Sequence, residues 1–368
     1  MYWDLEVAHV AESRDVKNTV MPGFMALSCR RACPFSSKFY STSPVQKPPL
    51  KLVAELRKLT DVTITKAREA LSENANDIEA SLEWLQKNLA ATGAKAAARL
   101  ERRETKQGLI TLSILAGGNG MKNGWGEGRL RAAMVELNCE TDFVGRNALF
   151  GKLAANIAHT AAFISDPSDS DKLFRPCSLD LLNDAPLISQ IDPQSHHSLT
   201  VGSAIRDLIA KVGEKISLRR ATVVVQNPPS STELAIRLAS YSHGSVNLPC
   251  EGRIGVLAIL AMKSRRLPSL LSSKPFLEDL EHLERSLARQ ITGFDTRTIR
   301  SPPGTTDETA LYDQPFMMLP GDSSGQPVHA VLHEWAQKRG VVEAGQADGG
   351  LNVLEFEKWI VGDCSDVH

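Results

Sequence analysis

Gly321-Asp322-Ser323-Ser324-Gly325 has the Gly-x-Ser-x-Gly spacing of a nucleophile elbow, which would mean acyl transfer through Ser323. An elbow needs a strand before its serine and a helix packed after it. Pro320 and Pro327 flank this segment instead, as in a surface turn. His329 and His333 stand four apart beside Glu334, and on a helix that spacing puts both rings on one face. A zinc protease would need His-Glu-x-x-His, and here the glutamate follows the second histidine, so a surface helix is expected. Gly117, Gly118, Gly120, Gly124, Gly126 and Gly128 could cradle a phosphate only if a helix followed and aimed its first amides at it. A strand-like run, residues 131–137, follows instead, and no Gly-Lys-Ser/Thr is present. The glycines are therefore expected to be a hairpin connection. His196 and His197 adjoin on a Ser/Asp/Pro-rich stretch, residues 164–198, with no further metal ligand in place. None of the six cysteines forms a Cys-x-x-Cys pair, so reduced, inert thiols are expected.

Composition points the same way. The 368 residues carry 42 Lys plus Arg against 43 Asp plus Glu, a net charge of −1. That balance disfavours a nucleic-acid coater, which needs a basic excess. Aromatics at 5% disfavour a base-stacking surface. No apolar run approaches the ~20 residues that span a bilayer. With 42% apolar and 23% charged residues, a globular fold is expected, and the length suggests about two domains with small appendages.

The first segment reads as an address. Residues 21–50 contain Arg30, Arg31, Lys38 and Lys47, six hydroxyl residues from Ser28 to Ser43, and no acid. This is the composition of a mitochondrial transit peptide. Asp4, Glu6, Glu12 and Asp15 spoil it upstream, as they would if synthesis began at Met21 or Met25.

Beyond Pro44, Pro48 and Pro49, three short helices are expected. Leu52, Leu56 and Leu59 mark the first; Ala67, Ala70 and Leu71 the second; Ile78, Leu82, Leu85 and Leu89 the third. Asn76-Asp77-Ile78-Glu79 reads as a capping box with Asn76 as the cap. Residues 94–107 are rich in Ala, Lys and Arg, as in a solvated helix or linker. Strand-like runs lie at 109–115, 131–137 and 221–225, with helices between the second and third. The plan recurs: strands at 234–241 and 254–261, an amphipathic helix through Leu277, Leu280, Leu283, Leu287 and Ile291, and a closing strand at 353–360. The expected class is α+β: a three-helix module, then two related halves, each an antiparallel sheet with helices on one face. The divisions are 1–46, 47–92, 105–228 and 232–368.

Glu136-Leu137-Asn138-Cys139-Glu140-Thr141-Asp142-Phe143-Val144 leaves its strand into a polar corner before Gly145 and a helix. The residues alone leave two readings open. Thr141 or Asp142 caps the helix and Phe143 is buried, or Phe143 stands out beside a carboxylate as a binding wedge. This segment closely resembles the most diagnostic motif of the elongation factor Ts family. Residues 52–89 resemble that family's N-terminal module, which is similar to a ubiquitin-associated domain. Val212-Gly213-Glu214-Lys215-Ile216-Ser217-Leu218-Arg219-Arg220 resembles its second signature. Tyr241-Ser242-His243-Gly244, Arg253-Ile254-Gly255-Val256-Leu257 and Gln314-Pro315-Phe316 follow in family order. The chain departs at Ala67-Arg68-Glu69-Ala70-Leu71, where the family usually has Cys-Lys-Lys-Ala-Leu.

The resemblance, with the transit-like start, implies the mitochondrial form: an exchange factor that binds mitochondrial elongation factor Tu carrying GDP and promotes entry of GTP, acting in the mitochondrial matrix. It implies that Thr141, Asp142, Phe143 and Val144 press on the partner beside its nucleotide and magnesium. Val212, Gly213 and His243 match positions near the same interface, and Arg68 matches a contact from the helical module. It implies no covalent chemistry, no cofactor of the chain's own, no direct nucleic-acid contact and no membrane; nucleotide and Mg²⁺ belong to the partner. The competing expectations are a helical adaptor for ubiquitin-like partners, without exchange activity, and a hydrolase through Ser323.

Overall fold

The computed structural model describes residues 47–60, 62–120, 128–167, 172–189, 199–321, 325–342 and 350–363, all within one compact unit, Lys47–His368. Residues 1–46, which hold most of the transit-like segment, and Gly124, Gly126, His196, His197 and Ser323 lie outside the described residues.

Three helices come first. α1 (Leu50–Thr60) buries Val53 and Leu56, whereas Leu59, placed on the apolar stripe by its spacing, is 61% exposed. α2 (Ile64–Glu73) is capped by Thr63, which accepts from Lys66 N, and buries Ala67, Ala70 and Leu71. The cap of α3 (Ile78–Leu100) is Asp77, which accepts from Glu79 N and Ala80 N. Asn76 cannot fill that role because it is used in the preceding turn, at φ 67°, a conformation asparagine tolerates. α3 runs 23 residues without a break, about 35 Å at 1.5 Å per residue, so the basic stretch is helical as far as Leu100. The three helices share a small core of Val53, Leu56, Val62, Ala67, Ala70, Leu71 and Leu85.

β1 (Gln107–Gly117) and β2 (Leu130–Cys139) form an antiparallel hairpin, paired from Gln107↔Cys139 to Gly117↔Leu130. The glycine-rich stretch therefore joins two strands, not a strand and a helix. α4 (Asp142–Gly145) and α5 (Ala148–Ile164) follow. Then come β3 (Phe174–Pro176), α6 (Leu179–Asp184), α7 (Val201–Val212) and β4 (Ile216–Gln226). The second half holds β5 (Leu234–His243), β6 (Glu251–Gly252), β7 (Ile254–Lys263), α8 (Leu267–Leu271), α9 (Lys274–Gly293), α10 (Val328–Lys338) and β8 (Gly350–Ile360). One sheet has the order β3-β4-β2-β1-β6, the other β5-β7-β8, and every pair is antiparallel. In each half the second long strand lies between the first and the third, the recurrence expected from the pattern.

The layering follows from side-chain alternation. On β2, Ala133, Val135 and Leu137 face a core shared with α5 and α7. Leu130, Ala132 and Met134 face the opposite way, into a core shared with Leu238, Leu257 and Ile259 of the second sheet. α9 and α10 cover that sheet's outer face. Each sheet thus has helices on one face, as expected, and the other sheet on its second face. The stretch at 164–198 supplies β3 to the edge of the first sheet, and Leu173 N donates to Glu355 of β8 at 2.8 Å.

Two ion pairs, one within each half, make further bonds that join the halves. Arg237 on β5, fully buried, meets Glu284 on α9 through two bonds of 2.6 and 2.7 Å, while its Nη1 donates to Asn119 O at 2.8 Å. Glu136 on β2 accepts from Arg220 Nε at 2.6 Å and from Gly362 N at 2.9 Å. Arg220 also stacks over Trp359, 4.4 Å from the ring centre. Arg219 and Arg220 of the second signature therefore fasten the end of β8 to the first sheet.

Candidate partner-binding surface

The polar corner after β2 resolves the two readings of Phe143. Thr141 is extended (φ −119°, ψ 156°) and caps α4, its Oγ1 accepting from Val144 N. α4 is a single turn, with Gly145 N donating to Thr141 O and Arg146 N to Asp142 O. Consecutive helical residues point about 100° apart at 3.6 residues per turn. Val144 turns into the core at 8% exposure, and Phe143 turns out at 83%. Capping by Thr141 and exposure of Phe143 occur together. Asp142 pairs with Arg146 across the turn at 3.4 Å, both side chains substantially exposed.

The turn is fastened from a distance. Thr141 Oγ1 donates to Glu214 Oε1 at 2.7 Å, and Thr141 N donates to Glu214 Oε2 at 3.1 Å. In return Lys215 N donates to Glu140 Oε1 at 2.6 Å. Lys215 Nζ donates to the carbonyls of Glu101 and Arg103 after α3. Val212 ends α7, partly buried against the core. Gly213 closes that helix at φ 77° with nothing within 4 Å of where a Cβ would stand. The glycine serves the left-handed helix end and not a tight contact. Thr141, Asp142, Phe143, Val144, Val212 and Gly213 thus converge through Glu214 and Glu140, two residues the sequence reasoning did not single out although both stand inside the quoted motifs.

His243 is exposed at the end of β5. Its neighbouring loop reaches the same corner, where Asn247 Nδ2 donates to Arg146 O at 3.1 Å. Arg68 is exposed on α2, in the three-helix portion, and is not among the residues gathered by Glu214.

Burial, then the charge of Glu214, pushes the Cys139 thiol up to about 12, so it stays protonated at neutral pH. His329 Nδ1 lies 2.9 Å from Tyr312 O, and among the described residues no group of three His, Cys, Asp or Glu could hold a metal. No described helix is long and apolar enough to cross a membrane. A cleft of about 550 Å³ beside His329 and His333 has its polar side chains bonded to the protein: Arg300 to Asn352, Ser301 to Asp313.

Glu214→Ala is expected to lower stability by ~1–2 kcal/mol in a denaturant titration, because it removes two bonds and leaves the half-buried Thr141 donors unmet. Glu214→Gln, which keeps one acceptor oxygen, should lose less. Equal stability of Glu214→Ala and wild type would show that the corner holds without this link.

The family described as Elongation factor TS matches residues 140–302, a range that holds this corner and the start of the second half. A mitochondrial elongation factor Ts from Laccaria bicolor is 53% identical over 345 residues, covering 93% of this chain and 100% of the relative. One from Coprinopsis cinerea is 52% identical, covering 89% of this chain and 95% of the relative. A protein from Postia placenta named elongation factor Ts, mitochondrial 2, is 48% identical over 331 residues. With identity at this level along nearly its whole length, the chain belongs to the elongation factor Ts family of translation elongation factors.

Proposed function

We propose that this chain binds mitochondrial elongation factor Tu and promotes exchange of its GDP for GTP. The observation that carries the reading is the exposure of Phe143, 83%, on a one-turn helix held by Glu214 through two hydrogen bonds. A large apolar ring presented on a fixed turn gains ~1.5–3 kcal/mol on burial in a partner, and its position loses little entropy because the turn is already ordered. Phe143 enters an apolar pocket beside the partner's nucleotide site, and Asp142 presents its carboxylate to the same face. Displacement of the partner's helices there weakens its hold on the magnesium and the diphosphate. Val212, Gly213 and His243 line the rest of the contact, and Arg68 reaches the partner from the helical module. That module, α1 to α3, is of the ubiquitin-associated kind and serves the same partner. The chain makes and breaks no covalent bond and needs no cofactor; nucleotide and magnesium are the partner's. Its place of action is the mitochondrial matrix.

Linkage supplies the test. A factor that weakens GDP binding has its own binding weakened by GDP by the same ratio. Adding GDP to the isolated complex of this chain with mitochondrial elongation factor Tu should therefore dissociate it on a sizing column. A complex whose affinity is the same with and without GDP would refute the exchange reading.

A further inference from the structure

β5 and β7 pair from His243↔Ile254, and antiparallel strands can be joined by as few as two residues. Here residues 244–253 intervene, and side chains fix their path. Glu251 is 1% exposed, and its Oε1 accepts from Asn247 N at 2.8 Å and Leu248 N at 3.1 Å. Ser245 Oγ donates to Leu248 O at 2.6 Å, and Ser242 Oγ donates to Pro249 O at 2.7 Å. Gly151 on α5 leaves room for the carboxylate, since a Cβ there would lie 2.4 Å from Glu251 Oε2. That oxygen is buried and has no hydrogen-bond partner among the described residues, an arrangement that costs stability. The product of this shaping is Val246, 58% exposed. Asn247, the next residue, bonds to Arg146 at the end of the Phe143 turn. An exposed valine on a pre-shaped loop, tied to the turn that carries an exposed phenylalanine, is an arrangement for contact.

We infer that residues 244–250 form a second apolar contact to the same protein that receives Phe143, with Val246 as the contacting side chain and Glu251 as its positioning residue. The inference rests on the function proposed above and adds an apolar contact to the one that His243 makes from the second half. A second apolar prong, carried by the other half, further limits rotation of the factor about Phe143. Val246 then contributes to affinity, and Phe143 to the displacement that releases GDP.

The test uses the full chain, mitochondrial elongation factor Tu loaded with a fluorescent GDP, and titration to saturation. Val246→Asp should raise the half-saturating concentration by at least about tenfold, with the release rate at saturation near wild type and the melting temperature unchanged. Val246→Ala should raise it about threefold. Glu251→Ala should do the same in protein that remains folded by circular dichroism, and adding Val246→Ala to it should cost little more; a merely structural Glu251 would give additive losses. Half-saturation of Val246→Asp within twofold of wild type, while Phe143→Ala is impaired, would overturn the second contact and leave the exchange reading standing. No acceleration by wild type at any concentration would overturn both.

Discussion

Phe143→Ala should remove most of the chain's acceleration of GDP release from mitochondrial elongation factor Tu without unfolding it. The ring is 83% exposed, so its truncation removes almost no internal packing, and stability should stay within ~0.5 kcal/mol of wild type. In the complex the same truncation forfeits the ~1.5–3 kcal/mol of a buried phenylalanine. At 1.4 kcal/mol per tenfold, that is a loss of roughly ten- to a hundredfold. Phe143→Leu should fall between, since it keeps apolar volume but not the ring. Stopped-flow release at equal concentrations, with denaturation curves as the control, separates the outcomes. A folded Phe143→Ala within twofold of wild type would remove the wedge from the account.

The largest effect on stability is expected at Arg237. Burial pushes the Glu284 carboxyl up, and the guanidinium beside it pulls in the opposite direction. Removing Arg237 leaves that carboxyl in an apolar core without its two bonds, and leaves Asn119 O without its donor. Breaking one side of a buried pair typically costs ~3–5 kcal/mol, and Arg237→Ala should lose about that much in urea titration. The double variant Arg237→Met, Glu284→Leu should recover much of the loss, because apolar groups of similar volume need no partner. Equal stability of Arg237→Ala and wild type would mean that the pair contributes nothing. The loss should reach the surface as well. The Asn119 bond ties the first sheet's hairpin to β5, and β5 ends at His243, so loosening it should also raise the concentration of factor needed for half-maximal GDP release.

Much of this was legible in the residues, for local reasons. Strands β1, β2, β5 and β7 are runs of apolar residues bounded by glycine or polar breaks, and α9 carries a clear 3.6-residue stripe. The near-continuous apolarity of residues 109–115 was itself the mark of a strand buried on both faces, although it did not say that the second face belonged to another sheet. The direction of Phe143 was not legible, because a cap followed by an apolar residue predicts burial as readily as exposure. Which way it points depends on Val144 being drawn inward by a core made elsewhere in the chain. Asn76 and Asp77 are both good caps, and only the left-handed turn at Ala75 and Asn76 decided between them. Glu214 lies 73 residues from Thr141, so no spacing rule connects them. Glu284 likewise lies 47 residues from Arg237, so their pairing was no more legible.

The most direct measurement is the release of a fluorescent GDP from mitochondrial elongation factor Tu at rising concentrations of the full chain. The account predicts a release rate that climbs with concentration, saturates well above the partner's unaided rate, and collapses when Phe143 becomes alanine. A release rate that stays at the unaided value across the titration, with the chain folded, would contradict it.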